Sequence, residues 1–382
     1  MSVVEAKPVP DLTLGPPRIR RIATSFTTRC NLRCVYCPEG SHEEEFYGDM
    51  GPELLEQLIA FAKKKDAYVD ISFYGDSTFH RQFYEFASQI IDSGVPLVIT
   101  SNFAKMMSPE EIGVIAHCKT VSFSFDTHDR DKAKAIRKGL DLRTLLFNIL
   151  RVRAHCLRHN VPVPPFTLHV VLVDQVVSDL PNLIALGASL GVQNISCNEL
   201  ADIDGAVGTE LRNIADLRGE ELRLAILRIK EASALAQRLG VGFALSNTAV
   251  ERINAAVTGA LNDSSEAAPR EGIQGTYYLR GDEVLGLQPG MTRQCIEPWI
   301  GPILNPKGDV HPCCARGTVM GNVGKDGAFE DVYNNLNYRK LRLSLLTGEN
   351  LDSECRLCHM AVPIVPAQLQ QMVASLYRDP AS

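Results

Sequence analysis

The sequence predicts an α/β protein: a partial (β/α)6 barrel followed by a small, cysteine-bearing domain. Strand-like and helix-like segments alternate six times between residues 19 and 197, joined by short connections. Four cysteines, Cys295, Cys313, Cys355 and Cys358, then gather beyond the last of these units. Apolar runs mark strands over 19–26, 69–73, 96–100, 120–125, 166–173 and 194–197. Helical spacing marks 52–64, 79–92, 109–117, 142–159 and 180–190. Such alternation gives a parallel sheet with right-handed crossovers, and strands rich in Val, Ile and Phe predict a sheet covered on both faces. A further helix is expected over 219–239, where Leu222, Ile226, Ile229 and Leu239 keep helical spacing and Gly240 supplies the stop. Residues 255–292 are polar and weakly patterned. The division is therefore a flexible segment 1–18, a barrel 19–240, a linker or substrate-facing loop 241–292, and a small domain 293–382.

Composition narrows the function classes. With 382 residues, 45% of them apolar, the chain buries a full core. A net charge of −6 and the lack of a long basic run argue against nucleic acid as partner. No apolar stretch reaches the roughly 18 residues that span a membrane, and the Pro-rich start lacks the order of a signal peptide. Eleven cysteines in a chain of this size, without an export signal, predict reduced thiols in a cytoplasm.

Cys30, Cys34 and Cys37 stand in a C-x3-C-x2-C run that directly follows strand one. A [4Fe–4S] cube takes one thiolate per iron, so three local thiolates leave one iron open for chemistry. A zinc site, with a fourth ligand such as His42, is the alternative. In parallel sheets ligands bind beyond the carboxyl ends of the strands, where this loop lies. In the C-terminal part, Asn305-Pro306-Lys307-Gly308 is a turn signal that folds 300–304 against 310–313 and draws Cys295 and Cys313 together. Cys355-x2-Cys358 adds two ligands from one turn, closing a four-thiolate site for iron–sulfur or zinc.

The Cys30, Cys34 and Cys37 spacing, with Tyr36 directly before the third cysteine, resembles the signature of the radical S-adenosylmethionine (SAM) superfamily. The C-x12-G-x4-C spacing from Cys295 through Gly308 to Cys313, the run Cys295-Ile-Glu-Pro-Trp299, the run Met320-Gly-Asn-Val323 and Cys355-x2-Cys358 resemble its SPASM/Twitch extension. No cysteine follows Cys358, so the shorter Twitch form with one auxiliary [4Fe–4S] cluster is the better match. Cys314 departs from the pattern, and either it or Cys313 ligates. The resemblance implies a radical SAM barrel in which the open iron holds the amino and carboxylate groups of SAM. Reductive cleavage there yields a 5′-deoxyadenosyl radical, with an electron donor of flavodoxin or ferredoxin type.

The same resemblance implies the SAM contacts. Phe73-Tyr-Gly-Asp-Ser77 sits where the family has Gly-Gly-Glu, which gives Gly75 a backbone role and Asp76 a shortened side-chain role. Asn102 ends strand three at the same mouth. Ser124 and Asp126 match the family's Ser-Leu-Asp-Gly run, and Arg137 its downstream arginine; Ser124 and Arg137 would meet the SAM ribose and carboxylate. Ile195 would pack on adenine. For Arg137 a solvated arginine is the plain alternative.

For the substrate step, Cys197 at the end of strand six is either a hydrogen-atom donor facing the barrel mouth or a small buried hydrophobe. Cys314 has the same two readings. His169 is a candidate base or a hydrogen-bonded core residue, and Glu199 and Asp174 are candidate substrate contacts. The expected function is radical oxidation of a polar small molecule (a sugar, aminocyclitol or related natural-product intermediate), with the auxiliary cluster as electron acceptor. Peptide modification and redox-neutral sugar epimerisation are the alternatives. The 29 residues before Cys30 leave no room for a winged-helix peptide-recognition domain, which argues for a small substrate.

Overall fold

The structure is a computed structural model, and it describes residues 11–37, 48–200, 211–246, 249–250, 253–254, 287–314, 317–356, 358 and 361–378. Two compact units divide the chain. One comprises Met1–Thr24, Met50–Val69 and Thr276–Ser382, the other Ser25–Asp49 and Asp70–Gly275. The predicted linker lies largely outside the described residues, as does His42.

The second unit is the α/β part. Its parallel strands run in the order β4 (Leu97–Ser101), β5 (Thr120–Ser124), β7 (Phe166–Leu172), β8 (Asn194–Glu199) and β9 (Gly242–Leu245). Ile71, just after β3 (Tyr68–Asp70), donates to Val98 O at 3.0 Å and adds its segment beside β4. The helices are α2 (Phe83–Asp92), α3 (Pro109–Ile115), α4 (Arg130–Ile136), α5 (Leu142–His159), α6 (Asp174–Val177), α7 (Leu180–Leu190) and α8 (Gly219–Leu239). A reciprocal cap between Ser108 and Glu111 starts α3. Gly240, at φ +68°, ends α8 where the sequence expects its stop.

Strand β9 falls inside the segment read as a linker. It pairs with β8 from Asn194↔Gly242 to Cys197↔Leu245. A Cβ on Gly242 would lie 2.3 Å from Asn194 Oδ1, so the glycine that weakened the strand signal is what admits the pairing.

The sheet faces also differ from expectation. Ile99, Val121, Phe123, Leu168, Val170, Ile195 and Cys197 are buried. Ile195 Cδ1 lies 3.0 Å from where a Cβ of Gly187 would stand, so α7 covers this face. Most of the alternate residues are polar. Thr100, Ser122, Thr167 and Asn194 share one register row, and Ser124, His169 and Ser196 the next. One face is a helix-covered core, and the other is lined with hydroxyls and an imidazole.

In the first unit, β1 (Arg21–Thr24) runs parallel to β11 (Ile303–Leu304), pairing Ala23 with Ile303 and Thr24 with Leu304. The predicted hairpin is present: β11 pairs antiparallel with β12 (Asp309–His311), which pairs with β13 (Gly321–Asn322). Asn305 Oδ1 accepts from Lys307 N and Asp309 N, both at 2.9 Å, while Gly308 takes φ +92°. A second ladder joins β10 (Thr292–Arg293) to β14 (Pro363–Ile364). Phe61 of α1 (Pro52–Lys65) stacks on Phe329 at 4.2 Å. Arg342 is fully buried between the rings of Tyr333 and Tyr338, at 4.5 and 4.8 Å, and donates to Pro298 O and Thr13 O. The described part of the expected flexible segment is tied down: Trp299 Nε1 donates to Leu12 O at 2.7 Å and Lys65 Nζ to Pro16 O at 3.1 Å. Among the described residues no helix is long and apolar enough to cross a membrane.

Candidate active site

The cysteine loop is held by several segments of the second unit. Cys34 pairs with Arg137 in a short ladder of β2 (Arg33–Cys34) and β6 (Arg137–Lys138), and Val35 N donates to Ile136 O at 2.9 Å. Val35 and Tyr36 pack on a cluster of Ile136, Val173, Val176, Leu200 and Leu211. Gly75, at φ +49°, lies so close to the loop that a Cβ would stand 2.5 Å from Arg29 O and Thr28 C. Asp76 N donates to Arg29 O at 2.8 Å. Glycine is required at 75 because the loop's own backbone comes this near.

The sulfur of Cys30 receives two N–H groups, from Leu32 N at 3.4 Å and from Asn102 Nδ2 at 3.5 Å. Asn102 Nδ2 also reaches Asn31 Oδ1 at 2.9 Å. Asn102 therefore meets the cysteine loop directly. Burial, with Asp76 and the other two thiols adding to it, pushes the Cys30 thiol up to about 12; burial pushes Cys34 up to about 11. Without metal these groups hold their protons, and metal binding displaces them.

Four of the expected SAM contacts are engaged by groups of the protein. Asp126 and Arg137 face each other, with Arg137 Nε to Asp126 Oδ2 at 2.8 Å and Nη2 to Oδ1 at 3.0 Å. Asp126 also accepts from Tyr36 Oη at 2.8 Å and Val171 N at 2.9 Å, and the Tyr36 ring lies 5.4 Å from the guanidinium. Burial works against the Arg137 charge, but Asp126, Tyr36 and Cys34 outweigh it and raise its pKa. Neither the solvated arginine nor a guanidinium aimed wholly at a ligand describes this residue; it anchors the cysteine loop through a buried pair. The Asp76 carboxylate accepts from Thr78 N, Thr78 Oγ1, Ser101 Oγ and Asn102 N at 2.7–3.2 Å, which commits both oxygens to the turn. Ile195 points at α7, so it packs in the core rather than on a ligand. Ser124 lies on the polar face beside His169.

The substrate candidates separate by face. His169 is partly buried on the polar face; burial lowers its pKa, Asp70 raises it and Arg137 lowers it, the net being downward. Cys197 is fully buried on the same face as Ile195, with its thiol pushed up to about 12 by burial. Its register explains the departure from the expected mouth-facing thiol. Glu199 lines a small cavity with Leu172, Asn213, Ile214, Ala249 and Ile253. Asp174 is engaged by Arg212 at 3.0 Å, and Arg212 also holds Glu221.

In the first unit, Cys295, Cys313, Cys355 and Cys358 line one cavity together with Arg293, Pro298, Pro312, Leu341, Leu345 and Glu354. Cys314 is exposed and does not line it. Burial raises the Cys295 thiol, with Cys313 and Cys358 contributing.

Comparison with known proteins agrees with this arrangement. Residues 24–175 match the model of the radical SAM superfamily, and residues 295–359 match an iron–sulfur cluster-binding SPASM domain. The chain thus carries a radical SAM superfamily domain followed by a C-terminal SPASM iron–sulfur cluster-binding domain. It is 29% identical over 160 residues to GTP 3′,8-cyclases of two Listeria monocytogenes strains, covering 40% of this chain and 45% of theirs. The chain thus spans less than half the length of these curated relatives.

Streptococcus suis SuiB bound to S-adenosylmethionine is similar in fold, with TM-score 0.58 and 14% identity over 95% of this chain and 77% of that one. Native anSMEcpe with bound AdoMet gives TM-score 0.56 and 14% identity over 93% and 96%. The two domains bring SAM, a [4Fe–4S] cluster and auxiliary iron–sulfur chemistry.

Proposed function

We propose that the chain oxidises a polar organic substrate by two electrons, with Cys30, Cys34 and Cys37 holding the SAM-binding cluster and Cys295, Cys313, Cys355 and Cys358 the auxiliary one. When bound, SAM on the reduced three-thiolate cluster supplies a hydrogen-abstracting radical, and the auxiliary cluster supplies a one-electron acceptor. The chain's own residues do the rest. Ser124, Thr167 and Ser196 offer hydroxyls to a polar substrate on the polar strand face. His169, in register between Ser124 and Ser196 and neutral at pH 7, accepts the proton that leaves as a C–H carbon becomes a carbonyl or imine carbon. The observation that favours oxidation over epimerisation through Cys197 is the register of that residue. It places the thiol on the helix-covered face, away from the polar rows.

A sugar or aminocyclitol suits these rows. A peptide is the second reading, because hydroxyl rows pair with amides as readily. SuiB and anSMEcpe have each been solved with a peptide.

The test begins by screening sugars, aminocyclitols and short peptides for stimulated release of 5′-deoxyadenosine. Turnover of the stimulating compound in deuterated buffer should give a product two hydrogens lighter. A product of unchanged connectivity carrying one solvent deuterium would establish epimerisation and overturn the proposal.

A further inference from the structure

Arg293 is a buried cation at the auxiliary cavity that no cysteine motif anticipates. It is 4% exposed, closes strand β10 two residues before Cys295, and lines the cavity that the four cysteines share. Its guanidinium gathers three carbonyls from one segment: Nε donates to Cys355 O at 3.3 Å, Nη1 to Ala361 O at 3.1 Å and Nη2 to Arg356 O. Those carbonyls flank Cys355 and Cys358. The same segment returns as β14, where Pro363 pairs with Arg293, and Gln294 N donates to Val362 O at 2.8 Å. Cys355 N is fixed separately by Asp352 Oδ1 at 2.9 Å.

A planar fork suits this task. Arginine reaches several acceptors at once in fixed geometry, whereas lysine offers one compact charge. Four thiolates around an iron–sulfur cube leave the site net negative, and a cation buried beside it stabilises that charge, most of all in the reduced state.

We infer that Arg293 is a positioning residue for the auxiliary cluster: it ties the Cys355–Cys358 turn to the strand that delivers Cys295, and its charge raises the cluster's reduction potential. This rests on the assignment of Cys295, Cys313, Cys355 and Cys358 as ligands of that cluster.

The experiment compares wild type, Arg293→Lys and Arg293→Met as full chains reconstituted anaerobically, reading iron per chain and the EPR-monitored potential of each cluster. Wild type should hold about eight irons, four per cube. Arg293→Met should lose the auxiliary signal, falling to about four irons, or retain it at a more negative potential. Arg293→Lys should keep more of the cluster than Arg293→Met, at a potential nearer wild type, because the charge remains. In all three the signal of the cluster at Cys30, Cys34 and Cys37 should stay in place.

Full iron and an unchanged auxiliary potential in Arg293→Met would overturn the inference. So would loss of both clusters together in both variants, which marks Arg293 as a general fold residue. Wild type with only about four irons would instead refute the ligand assignment beneath it, so the two failures are distinct.

Discussion

Replacing Asp126 by Asn leaves the Arg137 guanidinium buried opposite a group that carries no charge. Asp126 is 1% exposed and Arg137 7%, so water does not reach either to compensate. The four donors now served by two carboxylate oxygens, from Tyr36, Val171 and two Arg137 nitrogens, would meet one carbonyl oxygen and one NH2 group. Breaking a buried pair from one side costs about 3–5 kcal/mol, and the misdirected amide leaves no compensating bond. At a urea slope of about 1–3 kcal/mol per molar, the unfolding midpoint of the apoprotein should fall by about 1 M or more. Tyr36→Phe, which removes one hydrogen bond to a charged group, should cost about 1.5–3 kcal/mol, less than Asp126→Asn. Because Cys34 pairs with Arg137 on the backbone, iron at the N-terminal cluster should drop with the midpoint. A midpoint unchanged in Asp126→Asn would refute the claim that this pair anchors the cysteine loop.

Gly75→Ala puts a methyl 2.5 Å from Arg29 O at a left-handed φ; it should remove iron from the N-terminal site and leave the auxiliary EPR signal in place. Asn102→Leu takes one N–H from the Cys30 sulfur, so iron content should hold while that cluster's potential moves more negative; an unchanged potential would contradict the contact. His169 titrates below the usual value of 6.5 because burial disfavours its charge. Turnover should fall with acid through a pKa below that value, and His169→Gln should lose this limb. The folded chain binds fewer protons at His169 than the unfolded one between these pKa values, so this contribution to stability rises with pH there. A wild-type profile with no acid limb that His169→Gln removes would rule out His169 as the base.

Much of this architecture was legible because it rests on local spacing. Helices over 142–159, 180–190 and 219–239 carry long apolar periods, and the structure places them at the same residues. The hairpin at Asn305–Gly308 was legible from its turn chemistry alone. Side-chain direction was less so. Alternation in Val121-Ser-Phe-Ser124 and Phe166-Thr-Leu-His169 was present in the sequence as a polar face. Counting Val, Ile and Phe hides it, and with it the helix-covered side on which Ile195 and Cys197 stand. Long-range pairing was illegible. Nothing local tells that Asp126 meets Arg137 and Tyr36, or that Asp76 spends both oxygens on Thr78, Ser101 and Asn102. Arg293 escaped for the same reason, since its acceptors are backbone carbonyls more than sixty residues away.

The most direct test of the account is reductive cleavage of SAM by fully loaded, dithionite-reduced protein. Wild type should release 5′-deoxyadenosine and methionine, and a variant lacking Cys30, Cys34 and Cys37 should release neither. Absence of 5′-deoxyadenosine from wild-type protein carrying both clusters would contradict the assignment of an open, SAM-binding iron at the cysteine loop.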